Sequence, residues 1–346
     1  MAFKKATVNA SDVAATLSNY PSYVDLSRLG ITTLAEAQSV RVYADEAKTT
    51  EWAREIVSAT EMHVKIPSLT STTDIYVDYD GIRADYAVTA TYGRNAVWTT
   101  YGGAFHLNES SGNATDSTAG LTFTNNNTVG YASGKIGNSA DFGASNTNKN
   151  FTTTSHFGLA AGAARSISCW VNVTTAPASG AVYDIFGMSD EPEDVAYLFE
   201  YGNFSGTRRL RIGRARYYVD DPTLLYRLDM GTGTWYHIAY TIDASRNQTL
   251  YVNGASVATN TAVAGNGSGP VFDGSYLSRA GFAVTRVYSG KLDEVKVAPG
   301  VLTANWITTE YNNQNDEATF WGTWTDAGGG GPTANNSARR QHLMMM

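Results

Sequence analysis

The clearest pattern of apolar and polar positions lies in two adjoining segments in the second half of the chain. In residues 234–243, large side chains alternate with small or polar ones, the large ones being Tyr236, Ile238, Tyr240 and Ile242. This period of two predicts a half-buried β-strand. A polar loop, Ala244–Gln248, leads to a second alternating segment, Leu250–Val257. Its Asn253-Gly254 dipeptide tolerates the positive φ of a tight turn, so the region predicts antiparallel hairpins.

The first 98 residues show short strand-like runs at regular spacing, separated by turn residues. These runs are Ala6–Ala10, Tyr23–Leu26, Val40–Tyr43, Met62–Ile66 and Ile75–Tyr79. Such spacing is typical of an all-β sandwich. Leu34–Gln38 is expected to form one helical turn. The sequence therefore predicts a first domain, a β-sandwich, at residues 1–98.

The end of the chain predicts a helix and then a tail without regular structure. Thr303–Gln314 predicts a short helix, with Thr303 as N-cap and with Trp306, Ile307 and Tyr311 along one side. Residues 326–346 are glycine-rich and then basic and apolar, and such a segment alone is expected to be disordered. We therefore expect a second domain at 99–325 and a C-terminal tail at 326–346.

The order of motifs in the second domain resembles the central hairpin of a concanavalin A-like, laminin-G-type jelly roll. The motifs are Trp235-Tyr-His-Ile-Ala239, Thr241-Ile-Asp243 and Leu250-Tyr-Val-Asn-Gly254. Ser166–Val171 resembles the first long core strand of that fold, and Gly290–Val297 resembles its closing strand. The resemblance implies a concanavalin A-like lectin/glucanase jelly roll in an all-β chain. It favours a binding module over an enzyme.

Residues 1–98 resemble an uncharacterised β-domain family that often immediately precedes laminin-G-like modules in bacterial and phage surface proteins. The matching segments are Ala15–Leu26, Val40–Asp45, Val64–Leu69 and Asp74–Tyr79. The tandem order implies a surface protein of this kind.

Composition narrows the classes of partner. Charged residues make up only 16% of the chain, against about 25% in typical proteins, and Thr, Ser, Asn and Gly fill the surface, as is common in extracellular β-proteins and virion parts. The net charge of −7 argues against nucleic acid, which requires a basic patch. The one basic cluster, Arg208–Arg216, predicts a cationic strand face. That face is either solvated and balanced by the acidic loop at 190–194, or a contact for an anionic glycan or a partner.

The single cysteine, Cys169, excludes an intrachain disulfide and is expected to be a small core residue. The first residues lack the apolar region of a signal peptide, and no apolar run approaches the roughly 20 residues that span a bilayer. A fold typical of extracellular proteins, without a signal peptide or disulfides, is expected of a protein released by lysis. We therefore expect synthesis in a host cytoplasm, no membrane insertion, and a place on the surface of a virion.

Catalysis is not expected from the acidic pattern. Jelly-roll glycosidases of the retaining type need two carboxylates roughly 5 Å apart. Asp293 and Glu294 are neighbours, which on a regular strand point to opposite faces, and the alternating acids at 190–194 include Pro192, which predicts a loop. The five histidines are scattered, and no nucleophile elbow or phosphate loop is present. We expect no catalytic and no cofactor-binding residues.

The sequence favours a bound metal ion over a catalytic site. Laminin-G-like relatives often carry Ca²⁺ at the sheet rim, bound by oxygen ligands. The resemblance points to Asp116 and Asp293 as ligands of such a Ca²⁺ site. The alternative is that Asp116 caps a turn through its own backbone and that Asp293 bonds to a neighbouring strand.

Two functions remain open. The first is a non-enzymatic structural or adhesive protein of a phage particle, such as a capsid decoration, head-fibre or tail-associated subunit, whose jelly roll contacts a host glycan. It would assemble with other virion subunits and with itself. The second is a secreted bacterial carbohydrate-binding or glycan-hydrolysing protein. The tail is either a trailing peptide or an assembly arm whose partner-binding residues are Arg339, Arg340, Leu343, Met344, Met345 and Met346.

Overall fold

The chain folds almost entirely into β-strands, as the sequence pattern predicts. The computed structural model describes residues 2–118, 120–145, 148–159, 163–190, 195–216, 219–220, 224–261, 274–279 and 286–328. The strands before residue 98 are β1 (Ala2–Thr7), β2 (Leu17–Asp25), β3 (Arg41–Tyr43), β4 (Glu51–Trp52), β5 (Arg54–Ile56), β6 (Glu61–Leu69) and β7 (Asp74–Tyr79).

Seventeen further strands lie between residues 103 and 298, in the described parts of that region. They are β8 (Gly103–Phe105), β9 (Ala114–Thr115), β10 (Thr122–Asn126), β11 (Gly130–Ser133), β12 (Asn138–Asp141), β13 (Asn150–Thr153), β14 (Arg165–Val173), β15 (Val182–Asp190), β16 (Val195–Phe204), β17 (Thr207–Arg216), β18 (Val219–Asp220), β19 (Leu224–Arg227), β20 (Trp235–Ile242), β21 (Gln248–Val252), β22 (Ala255–Asn260), β23 (Gly274–Leu277) and β24 (Gly290–Ala298). The remaining elements are α1 (Leu34–Gln38), α2 (Ala304–Asn315), α3 (Glu317–Trp321) and β25 (Thr325–Asp326), with short 3-10 turns at Ala10–Asp12, Leu26–Leu29 and Arg94–Ala96. None of these helices combines the length and the apolar character that crossing a membrane requires.

The first domain is a β-sandwich of two antiparallel sheets, as predicted. One sheet has the order β25-β1-β7-β3-β4, and the other has the order β2-β6-β5. Alternate residues of β6, such as Met62 and Val64, are buried between the sheets with Val77 of β7, because side chains on a strand point alternately to its two faces. The predicted helical turn is α1, which begins with a capping box between Thr33 and Glu36.

The second domain is a jelly roll of two packed sheets. Its eight-stranded sheet has the order β11-β12-β24-β14-β20-β21-β22, with β8 beside β24, and its nine-stranded sheet has the order β18-β17-β16-β15-β23-β13-β10-β9, with β19 beside β17. Large side chains from both sheets fill the space between them, among them Phe123, Phe151, Phe199 and Tyr240. Cys169 lies in this core as a free thiol, as predicted.

The predicted hairpin is present in detail. β20 pairs with β21, and β21 turns into β22 at Asn253-Gly254, whose φ angles are 49° and 76°. Both values lie in the left-handed region that this dipeptide tolerates best. The turn rests on α2, since a Cβ on Gly254 would lie 3.0 Å from Cβ of Tyr311.

The C-terminal segment returns to the first domain. α2 begins after Thr303, whose side chain accepts a hydrogen bond from the Trp306 N–H as the predicted N-cap, and Trp306 packs edge-on against Tyr20. β25 then pairs with β1, with Asp326 opposite Lys4. Residues 325 and 326, on either side of the predicted boundary between jelly roll and tail, thus lie in a sheet of the first domain.

The two outer faces of the jelly roll have different surroundings. The outer face of the eight-stranded sheet is covered by α2 and the first domain, and Ala239, Tyr251 and Ala298 belong to the same buried cluster as Trp98 and Trp306. The outer face of the nine-stranded sheet lies on the opposite side of the sandwich. These faces are called below the covered face and the open face.

Candidate functional site

A polar cleft lies on the open face where β10, β13 and β23 run side by side. Phe123, Phe151 and Leu277 are buried in the core, so the neighbouring residues of the same strands point outward. The cleft has a volume of about 410 Å³ and is lined by Thr122, Thr124, Thr152, Thr153, Thr154, Gly274, Tyr276 and Arg279. The described residues of its lining therefore combine hydroxyl groups with an aromatic ring and a guanidinium group, and they include no carboxylate.

Strand register places three of these side chains in one row. Thr124 is opposite Thr152, and Thr152 is opposite Tyr276. The Asn126 amide at the edge of this row donates to Oγ1 of Thr152 at 3.0 Å. The Arg279 guanidinium carbon lies 5.9 Å from the centre of the Tyr276 ring. The row thus presents hydroxyl groups on one side and an aromatic ring with a cationic donor on the other.

Arg208 and Arg211 of the basic cluster predicted on β17 pair with acidic residues of the jelly roll. Arg211 donates to Glu200 of β16 at 2.9 Å, and Arg286 reaches the same carboxylate at 3.1 Å. Arg208 pairs with Asp229 at 2.6 Å. The acidic residues 191–194, which the sequence offered as the balancing charge, lie outside the described residues.

The two residues predicted to bind Ca²⁺ are both buried and both accept hydrogen bonds from the backbone. Asp116 accepts from the N–H groups of Ala104 at 2.8 Å and Thr118 at 3.0 Å. One oxygen of Asp293 accepts from the N–H groups of Lys135 at 2.8 Å and Ile136 at 2.9 Å. In the described part of the chain, neither belongs to a group of three or more metal-ligating side chains. The contact of Asp116 with Thr118 is the turn cap of the alternative interpretation, whereas Asp293 bonds to the turn between β11 and β12 and not to a strand. The Ca²⁺ site stays a prediction.

The expectation that Asp293 and Glu294 point to opposite faces is wrong. Leu292 and Val295, three residues apart, both lie in the jelly-roll core, so the two acids between them lie on the covered face. The cause is a bulge in the pairing of β14 with β24, where Glu294 has a φ of 50°. An extra residue in a bulge reverses the alternation that a regular strand imposes. Burial, and then the Glu294 carboxylate, raise the pKa of Asp293 well above its ordinary value.

The bulge brings Glu294 into a buried cluster between the two domains. Glu61, His63, His106 and Glu294 each offer a donor atom, and these atoms all lie within 4.8 Å of one another. Glu61 and His63 share a face of β6, opposite to Met62 and Val64, and His106 directly follows β8. The four residues are 1–6% exposed. The sequence analysis regarded the histidines as scattered and did not predict this cluster.

Short contacts connect the donor atoms of this cluster. His63 Nε2 lies 3.2 Å from Oε1 of Glu61. His106 Nδ1 lies 2.5 Å from Oε1 of Glu294 and 3.4 Å from Oε1 of Glu61. Lys296 Nζ lies 2.9 Å from the other Glu294 oxygen. One domain thus supplies Glu61 and His63, and the other supplies His106, Glu294 and Lys296.

The cluster separates the pKa values of its two glutamates. Burial raises the pKa of Glu61 to about 8. Burial also acts to raise the pKa of Glu294, but Lys296 and His106 more than offset it, so that pKa lies below its ordinary value. His106 keeps a raised pKa against the effect of burial because Glu294 and Glu55 lie beside it. When no other cation is bound, Glu61 and His106 are therefore both protonated at neutral pH.

A cavity of about 380 Å³ opens beside this cluster, between the domains. Its lining includes Glu55, His106, Asn108 and Ser117, which contact the cluster or belong to it, and further residues, which are Arg54, Ile56, Val57, Asp85, Tyr86, Val88, Arg94, Glu109 and Thr115. His106 is therefore the cluster member that this cavity reaches.

The predicted partner-binding residues of the tail lie outside the described residues. These are Arg339, Arg340, Leu343, Met344, Met345 and Met346. Their role as an assembly arm stays a prediction. The last described residues, up to Gly328, follow β25 along the first domain.

Comparison with known proteins agrees with this fold. Residues 143–308 match the family model described as the concanavalin A-like lectin/glucanases superfamily, laminin-G type. This range runs from the loop before β13 into α2, so it lies mostly in the second domain and confirms that this domain is concanavalin A-like. No curated protein matches the chain.

The chain is also similar, at low identity, to solved structures. Domain 4 of the extracellular arabinanase AbnA from Geobacillus stearothermophilus, in complex with arabinotriose, is 19% identical with a TM-score of 0.47, over 60% of this chain and 97% of that domain. The binding domain of botulinum neurotoxin DC, in complex with SialylT, is 12% identical with a TM-score of 0.49, over 62% of this chain and 52% of that chain. A Trypanosoma rangeli sialidase is 14% identical with a TM-score of 0.47, over 67% of this chain and 34% of that chain. The chain thus spans about half of the neurotoxin domain and a third of the sialidase.

Proposed function

We propose that this protein is a non-enzymatic adhesive protein that binds glycans in the cleft on the open face of its jelly roll. The observation that carries the proposal is the row of Thr124, Thr152 and Tyr276 across three adjacent strands, with Arg279 beside the ring. A rigid sheet holds these side chains, so they are positioned before a ligand arrives, which lowers the entropic cost of binding.

The chemistry of the cleft suits a sugar. A pyranose has an apolar face of C–H groups that packs on an aromatic ring, and Tyr276 supplies such a ring. Threonine hydroxyls both donate and accept hydrogen bonds, as sugar hydroxyls do, and Arg279 only donates.

The positions of the described carboxylates support the proposal of binding without hydrolysis. A retaining glycosidase needs two carboxylates that face the substrate, and the described residues that line the cleft include none. The close carboxylates of the described residues, Glu61 and Glu294, are each 1% exposed and lie on the covered side of the jelly roll. A polysaccharide in the cleft does not reach them.

We further propose that the protein acts on the surface of a phage particle, as a capsid or tail-associated subunit. The uncharged polar composition and the order of the two domains support this placement, and residues 339–346 would be its anchor to other subunits. A secreted bacterial carbohydrate-binding protein would use the same cleft. Detection of the chain by mass spectrometry in particles purified from its source supports the first, and recovery only in particle-free medium supports the second.

The glycan proposal is tested on an array of bacterial surface polysaccharides and oligosaccharides. Tyr276→Ala removes the ring, and the loss of about 1.5–3 kcal/mol of apolar contact corresponds to about 10–100-fold weaker binding. Tyr276→Phe is the matched control, since it keeps the ring and should retain binding within about tenfold. Binding by wild type that Tyr276→Ala leaves unchanged would exclude this cleft as the site. Release of reducing sugar from any bound polysaccharide would contradict the non-enzymatic assignment.

A further inference from the structure

We propose that Glu61, His63, His106 and Glu294 bind one divalent transition-metal ion that joins the two domains. This site is separate from the glycan cleft, which lies on the opposite side of the jelly roll. Its ligands would be His63 Nε2, His106 Nδ1 and one carboxylate oxygen each from Glu61 and Glu294, the atoms that lie within 4.8 Å of one another.

The spacing of these atoms fits a small ion. Zinc binds imidazole nitrogen and carboxylate oxygen at about 2.0–2.2 Å in tetrahedral sites, which places neighbouring ligands roughly 3.2–3.6 Å apart. His63 Nε2 and Glu61 Oε1 are 3.2 Å apart, and His106 Nδ1 and Glu61 Oε1 are 3.4 Å apart. When a metal ion replaces the proton, the 2.5 Å contact of His106 with Glu294 must lengthen, and the 3.9 Å separation of His63 Nε2 from Glu294 must shorten slightly.

A set of outer partners holds the ligands in the manner usual for metal sites. The ring nitrogen of His106 that would not bind the ion, Nε2, lies 3.2 Å from Glu55 Oε2. Glu55 is itself fixed by Ser117 at 2.6 Å and by the Trp98 indole N–H at 2.5 Å. Asn108 donates to the second oxygen of Glu61 at 2.7 Å. A carboxylate behind a ligating histidine fixes its tautomer and orientation, and these contacts provide that arrangement.

The charge of the buried region favours a further cation. Four carboxylates, those of Glu55, Glu61, Glu294 and Glu310, are 1–5% exposed. Lys296 is the lysine beside them, at 2.9 Å from Glu294 and 3.4 Å from Glu310, and His237 lies 3.6 Å from Glu310. Buried carboxylates need positive partners, and a divalent ion would supply positive charge where Glu61 and Glu294 converge, in place of the protons that Glu61 and His106 otherwise hold.

The donor set selects the class of ion. Two imidazole nitrogens with two carboxylate oxygens suit Zn²⁺, Co²⁺, Mn²⁺ or Fe²⁺. Ca²⁺ prefers six to eight oxygen ligands, so it is a poor fit here. This ion is therefore different from the Ca²⁺ that the sequence resemblance implies at Asp116 and Asp293.

The test uses the full-length protein after chelator treatment and dialysis. We expect one Zn²⁺ or Co²⁺ per chain, a visible ligand-field absorption on addition of Co²⁺, and a higher melting temperature with Zn²⁺. His63→Gln and Glu61→Gln should weaken Co²⁺ binding by at least about 100-fold, since loss of an outer partner alone costs about 10–100-fold. Glu317→Gln is the control, because Glu317 is a buried carboxylate paired with Arg28 outside the cluster, and it should bind Co²⁺ as wild type does.

Glu61→Gln also separates the proposal from a metal-free cluster. If no ion binds, glutamine replaces a side chain of nearly the same shape and adds no charge, and the stability of the variant should be close to that of wild type in both the presence and absence of Zn²⁺. The proposal predicts instead that this variant loses the stabilisation by Zn²⁺. Absence of Co²⁺ or Zn²⁺ binding to wild type would overturn the proposal, and so would full binding by both variants, which would indicate a site elsewhere on the chain.

Discussion

The covered and open faces of the jelly roll are built from the same kind of strand but carry different side chains, buried ionised groups on one and polar groups in a cleft on the other. The open face carries Thr124, Thr152 and Tyr276, which line the cleft where a ligand can contact them. The covered face carries ionised groups, in which Lys296 contacts both Glu294 of the same strand and Glu310 of α2. A charge removed from water needs a partner of opposite sign, and here part of that partnership comes from the other domain and from the C-terminal helix.

The comparison teaches that contacts between elements, and not the fold alone, determine what each face can do. On the covered face, Ser168 and Trp170 of β14 donate to Glu310 and Gln314 of α2 at 2.9 Å and 2.6 Å. Each polar group there depends on several others, so removing one leaves the rest unsatisfied. On the open face, a side chain can change with little effect on the remainder. Stability is therefore expected to depend on the covered face and ligand affinity on the open face.

The largest expected effect is on the lysine of the covered face. Lys296→Met leaves Glu294 and Glu310 without their cation, and breaking such a buried pair costs about 3–5 kcal/mol. Urea unfolding followed by tryptophan fluorescence measures this. Lys291→Met, on the same strand but half-exposed, is the control and should change the free energy of unfolding by less than about 1 kcal/mol. Equal effects of the two substitutions would contradict the proposed dependence on buried charge.

Acid should weaken the covered face through Glu310. Burial acts to raise the pKa of Glu310, but Lys296, His237 and Ser168 together more than offset this and lower the pKa to about 2, against an ordinary value near 4.3. A lowered pKa in the folded state means that Glu310 stabilises the protein above about pH 4.3, and that this contribution is lost as the pH falls through about 2. The contribution is up to about 3 kcal/mol.

Unfolding free energies of wild type and Glu310→Gln between pH 7 and pH 2 test this. The two proteins should differ most at neutral pH and approach each other on acidification. A difference that stays constant over this range would show that Glu310 acts through packing and not through its charge.

A glycine pair compares the hairpins of the two sheets. Gly254, on the covered side, and Gly206, between β16 and β17 of the open sheet, have φ angles of 76° and 82°. Alanine at either position takes a left-handed conformation that costs about 1–2 kcal/mol. Only Gly254→Ala also places a Cβ 3.0 Å from Tyr311, whereas a Cβ on Gly206 meets no atom within 4 Å. Thermal unfolding should therefore show Gly254→Ala as the more destabilised, and equal melting temperatures would mean that α2 adjusts freely.

The sequence allowed prediction of those parts of the fold that depend on local pattern. Alternation of large residues predicted β20, Asn253-Gly254 predicted the turn, and Thr303 predicted the start of α2. Each of these features is encoded by residues close together in the chain. The β-bulge at Glu294 was not predicted, because Asp293-Glu294 carries no local signal for an extra residue, and the resulting face of Glu294 was assigned wrongly.

The two candidate sites could not be predicted from local sequence pattern, because residues distant in the chain form them. His63 and His106 lie in different domains, and only the packing of β6 against the covered face brings them together. Tyr276 is one aromatic residue in a short strand, and its place beside Thr152 follows from pairing of β13 with β23. The Glu61-x-His63 spacing on one strand face is the signal that could have indicated half of the buried cluster.

The smallest expected effect concerns a single hydroxyl of the open face. Thr152→Val keeps the shape of the side chain and removes the oxygen that accepts from Asn126 and that we expect to contact the glycan. Loss of one such hydrogen bond costs about 0.5–1.5 kcal/mol, which is about 2–13-fold in affinity for the glycan found on the array. The free energy of unfolding should change by no more than about 0.5 kcal/mol if the open face is as tolerant as proposed. Isothermal titration calorimetry and urea unfolding of the same variant measure both quantities, and Thr122→Val, at the edge of the cleft, is the matched control. A large loss of stability with unchanged affinity would reverse the assignment of roles to the two faces.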